Sequence, residues 1–199
     1  HQLQLRSFKL FIENQAFDRK RNNKRARGVR LVMVGGCRNA EDHKRVEDLQ
    51  RLAKDLKIDD FVEFKVNISF KDLQSYLKKA SLGLHTMWNE HFGMCVVEFM
   101  AAGVIPIAHE SGGPYHDIVK DESGATGFLA TTPGDYAKCI SEAFSLSSDA
   151  SISMRKRARA RACRFSDAAF LDGFQKEFKS LLLRVRSFRL AETDHAPLA

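Results

Sequence analysis

At 199 residues the chain can bury one good core or supply one half of a two-domain protein, and the second is expected. Thirty-two Lys and Arg against 25 acids leave a net charge of +7, which favours anionic partners (nucleotide phosphate, nucleic acid or an anionic membrane surface) without choosing among them. Cys37, Cys95, Cys139 and Cys163 are scattered with no C-x-x-C pair, no apolar run approaches the roughly 18 residues of a spanning helix, and no signal-peptide pattern opens the chain, so a soluble, cytosol-facing protein with reduced thiols is expected.

In chain order, Leu3, Leu5, Phe8, Leu10, Phe11 and Ile12 fit a helix with one apolar face, followed by a basic run from Arg19 to Arg27. Val29 to Val34 is β-branched-rich and ends at Gly35-Gly36, which reads as a buried strand. The alternation then repeats. Helix 42–56 precedes strand 61–64, helix 70–80 precedes strand 82–85, helix 92–102 precedes strand 104–108, and a short helix 115–119 precedes strand 127–130 and helix 135–146. Helices 151–163 and 166–190 close a domain spanning 1–190, and 191–199 reads as a frayed tail. Strands alternating with helices predict an α/β fold, a Rossmann-like parallel sheet with helices on both faces.

The stretch from Asn89 to Gly103 sets Glu90 and Glu98 eight positions apart, with no other acid between them and an apolar run around the second. Gly103 sits where a helix C-cap glycine belongs, so a buried helix over 92–102 is expected, with Glu90 in the loop before it and Glu98 one turn beyond Met94. The helix N-terminus between them offers free N–H groups and the positive end of a dipole, suited to a diphosphate. Taken alone, Glu98 could equally be a satisfied core acid, and Glu90 a loop acid that caps the helix.

The Glu90-to-Glu98 spacing resembles the E-x7-E signature of retaining glycosyltransferases of family 4, which have the two-domain GT-B fold. The segments 84–93, 100–103 and Ser111-Gly112-Gly113-Pro114, with 35–38 and 126–130, are similar to the branch that moves mannose from GDP-mannose onto a dolichyl-diphosphate-linked oligosaccharide in α-1,2 linkage. The resemblance runs from about Leu3 to Phe178. It implies that this chain is the C-terminal, donor-binding half, with the first strand and its phosphate loop upstream of His1 and an acceptor-binding domain beyond that. The Arg and Lys that grip the donor diphosphate in the family cannot be placed here, and the fragment alone is expected to be inactive.

By the same resemblance, Glu90 contacts the donor sugar and helps retain its anomeric configuration, while Glu98 binds the ribose hydroxyls. The backbone N–H groups of His91, Phe92, Gly93 and Met94 face the sugar and phosphates. Lys65 and Val66 hold the base, and Gly35, Gly36, Gly112 and Gly113 line the nucleotide cleft. No cofactor is expected beyond GDP-mannose as donor substrate, and no protein-bound metal: His85, Glu90 and His91 do not have the H-E-x-x-H spacing, and no Cys lies at ligand spacing. The implied partners are GDP-mannose, the lipid-linked oligosaccharide through the other domain and, through basic patches, a membrane surface. The implied location is the cytosolic face of the endoplasmic reticulum. Nucleic acid is not expected, since the basic residues of 155–164 have no interleaved aromatics. A family 4 transferase using another nucleotide sugar, or a non-catalytic scaffold domain of the same fold, are the alternatives.

Overall fold

The computed structural model describes residues 1–19, 28–120 and 124–193. The order is α1 (Gln2–Arg19), β1 (Leu31–Gly35), α2 (Ala40–Asp55), β2 (Val62–Val66), α3 (Phe70–Lys79), β3 (Leu82–His85), α4 (Met94–Ala101), β4 (Ile105–His109), a π-helical turn (Pro114–Val119), β5 (Phe128–Ala130), α5 (Pro133–Ser145), α6 (Ser148–Ala162) and α7 (Asp167–Thr193). Residues 20–27 of the basic run and 194–199 of the expected tail lie outside the described residues. No described helix is long and apolar enough to cross a membrane.

Where boundaries differ from the sequence reading, local chemistry moves them. Asp59–Phe61 form a 3-10 turn, so β2 begins at Val62. Gly93 adopts φ +100°, which a helical residue cannot, so α4 begins at Met94 instead of Phe92. Thr132 and Asp135 cap one another's backbone N–H groups, so α5 starts at Pro133. Asn39 and Ser69 accept from the third residue of α2 and α3 in the same way, through Asp42 N and Asp72 N.

All strand pairs are parallel, as the alternation predicts, but they form two sheets: β1 with β2, and β3-β4-β5. β4 is buried along its whole length between β3 and β5, as a central strand covered on both faces must be. Leu5, Phe8 and Phe11 of α1 are buried, and Phe11 stacks on Phe144 of α5 with ring centres 5.9 Å apart. Gln4 Nε2 of α1 also donates to Leu84 O of β3 at 3.0 Å.

The chain divides into two compact units, His1–Arg161 and Ala162–Ala199. The first holds both sheets and the helices that flank them. The second contains a 3-10 turn (Cys163–Phe165) and α7, where Phe170, Phe174 and Phe178 recur every fourth residue and stack, with centres 6.1 and 5.6 Å apart.

Candidate functional site

Parallel strands put all their carboxyl ends on one side, and the loops that follow them carry the predicted residues. The structure gathers these residues in two clusters.

The first lies at the ends of β1 and β2. Gly35 pairs with Val66 and Val34 with Lys65, so the glycine pair and the two β2 residues are neighbours. Asn67, at φ +52°, ties the two strand ends together. Its N–H donates to Gly35 O at 3.0 Å, its Oδ1 accepts from Cys37 N at 2.7 Å and its Nδ2 donates to Cys37 O at 3.1 Å. Lys65 Nζ sits 3.2 Å from Glu63, which holds the ammonium above its ordinary pKa, with Tyr76 adding to the effect. Behind Gly36, buried Asp42 accepts from Arg38 N at 3.1 Å and Arg38 Nε at 3.0 Å. These bonds push its carboxyl below the usual range.

The second cluster is built from the loops after β3 and β4. Asn89 N donates to Ser111 Oγ at 2.8 Å, and that oxygen lies 2.8 Å from His109 Nδ1. Gly113 N donates to Glu90 O at 2.8 Å. A Cβ at Gly112 would strike Glu90 O, and one at Gly113 would strike the carbonyls of His91 and Phe92, so the two glycines let one loop backbone lie directly on the other. Gly112 and Gly113 thus support the Glu90 loop. Gly93 gives α4 no side-chain cap, so no side chain is bonded across its first turn.

Within this cluster the Glu90 carboxylate is about a quarter exposed (28%), and Oε2 lies 3.9 Å from His85 Nε2. His85 is buried, and burial is the main cause that drives its pKa below the ordinary value. The charge of Glu90 pulls it up and His109 pushes it down again. The Cys95 thiol is raised by burial first and then by the negative fields of Glu98 and Glu90, which places both acids around one spot at the start of α4. Glu98 does not have the environment of a satisfied core acid, the alternative its apolar surroundings left open. Only Val96 and Met100 of α4 are buried, and Glu98 is on an open face with its carboxylate free to meet a ligand. His91 and Met94 are exposed and Phe92 is half-buried.

Sequence reading missed Asn67 and His109, and named Asn89 and Ser111 only within the segments that carry the resemblance. Asn67 and Asn89 carry a weak signal: each follows a strand, and Asn is among the few residues that tolerate positive φ.

Parallel strand ends, with two acids near a helix N-terminus that has no side-chain cap, define a class that the whole-chain comparisons make specific. Residues 8–162 match the family model described as glycosyl transferases group 1, and the chain belongs to that family. It is 47% identical over 184 residues to a human protein named GDP-Man:Man(3)GlcNAc(2)-PP-Dol alpha-1,2-mannosyltransferase, covering 90% of this chain and 36% of that one. A Dictyostelium discoideum protein of the same name is 45% identical, covering 92% of this chain and 35% of its own length. The chain therefore spans about a third of the length of the curated relatives it matches. In fold it is similar to the sucrose-phosphate synthase of Thermosynechococcus elongatus, with a TM-score of 0.71 at 19% identity over 90% of this chain and 42% of that one.

Proposed function

We propose that this chain forms the donor-binding half of a retaining mannosyltransferase that moves mannose from GDP-mannose to a dolichyl-diphosphate-linked oligosaccharide in α-1,2 linkage. The observation that carries the reading is the 47% identity over 90% of the chain to a relative named for that donor, acceptor and linkage. The same similarity supports action on lipid-linked sugars at the cytosolic face of the endoplasmic reticulum.

In this reading the diphosphate meets the uncapped first turn of α4, where the N–H groups and the dipole offer partial positive charge without a protein-held metal. The two oxygens of Glu98, on the open face of α4, accept from the vicinal ribose hydroxyls. The guanine lies against the β1 and β2 ends, at Gly35, Gly36, Lys65 and Val66. Glu90 contacts the mannose as its bond to the diphosphate breaks and the acceptor hydroxyl enters on the same face. The backbone of His91 to Met94, held down on Gly112 and Gly113, keeps that contact in register.

Calorimetric titration tests this directly: GDP should bind saturably and more tightly than UDP, and Glu98→Ala should weaken GDP by ~10-fold or more, the loss of a charge-assisted bidentate contact. Equal binding of GDP and UDP would overturn the donor assignment, and an unaffected Glu98→Ala variant would remove Glu98 from the site.

A further inference from the structure

His85 ends β3, five residues before Glu90, and is nearly inaccessible at 6% exposure. Its backbone is anchored, because Tyr136 of α5 is fully buried and its hydroxyl donates to His85 O at 2.8 Å. Its ring is therefore a fixed object behind the Glu90 loop. One ring nitrogen, Nδ1, is buried with no hydrogen-bond partner. The other, Nε2, looks at Glu90 Oε2 from 3.9 Å.

That asymmetry decides the tautomer. A proton on Nδ1 would bury an N–H with no acceptor and turn the bare lone pair of Nε2 toward a carboxylate, two penalties at once. A proton on Nε2 leaves a single unmet lone pair and gives the carboxylate a donor. We infer that His85 is a positioning residue for Glu90, its Nε2–H holding the Glu90 carboxylate in the orientation the donor sugar needs. The 3.9 Å separation is longer than a formed hydrogen bond, as catalytic contacts often are before substrate closes the site.

The surroundings keep the ring uncharged. The titratable groups that face it are Glu90 from the loop, His109 from β4 and the Tyr136 hydroxyl from α5, and burial outweighs the pull of Glu90. With the folded pKa below the ordinary histidine value, the uncharged, orienting form dominates above that range. As pH falls through the depressed pKa a second ring proton must sit on the unpartnered Nδ1 beside His109; Nε2 keeps its hydrogen, so what the acid side loses is the uncharged ring's fixed seat behind Glu90 and not the donor itself.

The inference rests on the role of Glu90 proposed above, and transfer from GDP-mannose by the natural polypeptide carrying this chain separates the two. In His85→Leu, kcat should fall ~10–100-fold while the donor KM moves less than ~3-fold, the pattern of a lost orienting partner. In His85→Gln, whose amide nitrogen reaches the Nε2 position as a donor that does not titrate, kcat should return to within ~5-fold of wild type and the acid-side loss belonging to His85 should vanish. Combined with Glu90→Gln, His85→Leu should add nothing further. Wild-type kcat in His85→Leu, or a His85→Gln variant with an unchanged acid limb, overturns the positioning role while leaving Glu90 in place. Should His85→Leu fail to fold, the His85→Gln profile decides alone. Undiminished transfer by Glu90→Gln sinks the catalytic reading of Glu90 and this inference with it.

Discussion

Gly112 and Gly113 show how single residues set this site. Neither touches a predicted ligand through a side chain, because neither has one. What they supply is the absence of a Cβ where two loop backbones meet, and Gly112 adds φ +58°. Gly113→Ala should therefore destabilise the protein by ~1–3 kcal/mol, the usual cost of forcing volume into a closed contact, and weaken GDP binding by displacing the Glu90 loop. Chemical denaturation and the GDP titration check both, and a variant with wild-type stability and affinity would mean the loops are not stacked in this way. The sequence reading placed the glycine pair along the nucleotide cleft, but its fit against the Glu90 loop was not visible, because the backbone it presses against lies some twenty residues earlier in the chain. The helix that carries Glu98 was misjudged in the opposite direction. The apolar composition of 94–101 suggested burial all round, yet so short a helix buries only Val96 and Met100 and leaves an open face, and composition cannot say which.

At the scale of elements, helices and strands were legible wherever periodicity and caps acted locally. The arginines of α6 were not. In the sequence they stood only as basic residues with no interleaved aromatics, whereas the structure uses them as clamps on backbone carbonyls far away in sequence. Arg155 donates to Gly103 O at 2.6 Å and Ser81 O at 3.0 Å, Arg157 to Ala125 O at 2.9 Å, Arg159 to Ala101 O at 3.2 Å and Arg161 to Asp117 O at 2.8 Å. Ala101 ends α4, so the Arg159 guanidinium completes a carbonyl that a helix C-terminus leaves open, with the favourable sign of charge, while Arg155 joins Gly103, just beyond that end, to Ser81 before β3. Arg155→Ala should cost ~2 kcal/mol, since bonds to a charged donor contribute about 1.5–3 kcal/mol and part of that is returned by water. Arg155→Lys should recover only part, because an ammonium cannot fork to two fixed carbonyls. Exposed Lys156→Ala on the same helix should stay within about 0.5 kcal/mol. Urea midpoints of the three variants measure the contrast, and equal losses at Arg155 and Lys156 would refute the clamp.

For the whole molecule, every residue assigned to the donor falls in the unit His1–Arg161, and none in Ala162–Ala199. Donor binding should therefore stabilise one unit through linkage, in proportion to how far GDP exceeds its dissociation constant. The chain offers its own reporter, since Trp88 is the single tryptophan, 73% exposed and two residues before Glu90. GDP at a hundredfold excess over Kd should add about 2.7 kcal/mol to the stability of that unit, which for a domain of this size moves the Trp88 fluorescence melt up by roughly 5–10 °C. UDP at the same concentration should shift it less, and Glu98→Ala should lose most of the GDP shift. The helical circular dichroism signal also counts α7, so a nucleotide that acts only on the first unit should displace the fluorescence transition more than the dichroism one. A fluorescence midpoint that ignores GDP at this concentration would mean that the unit does not bind the nucleotide, and the function assigned to this chain would fall with it.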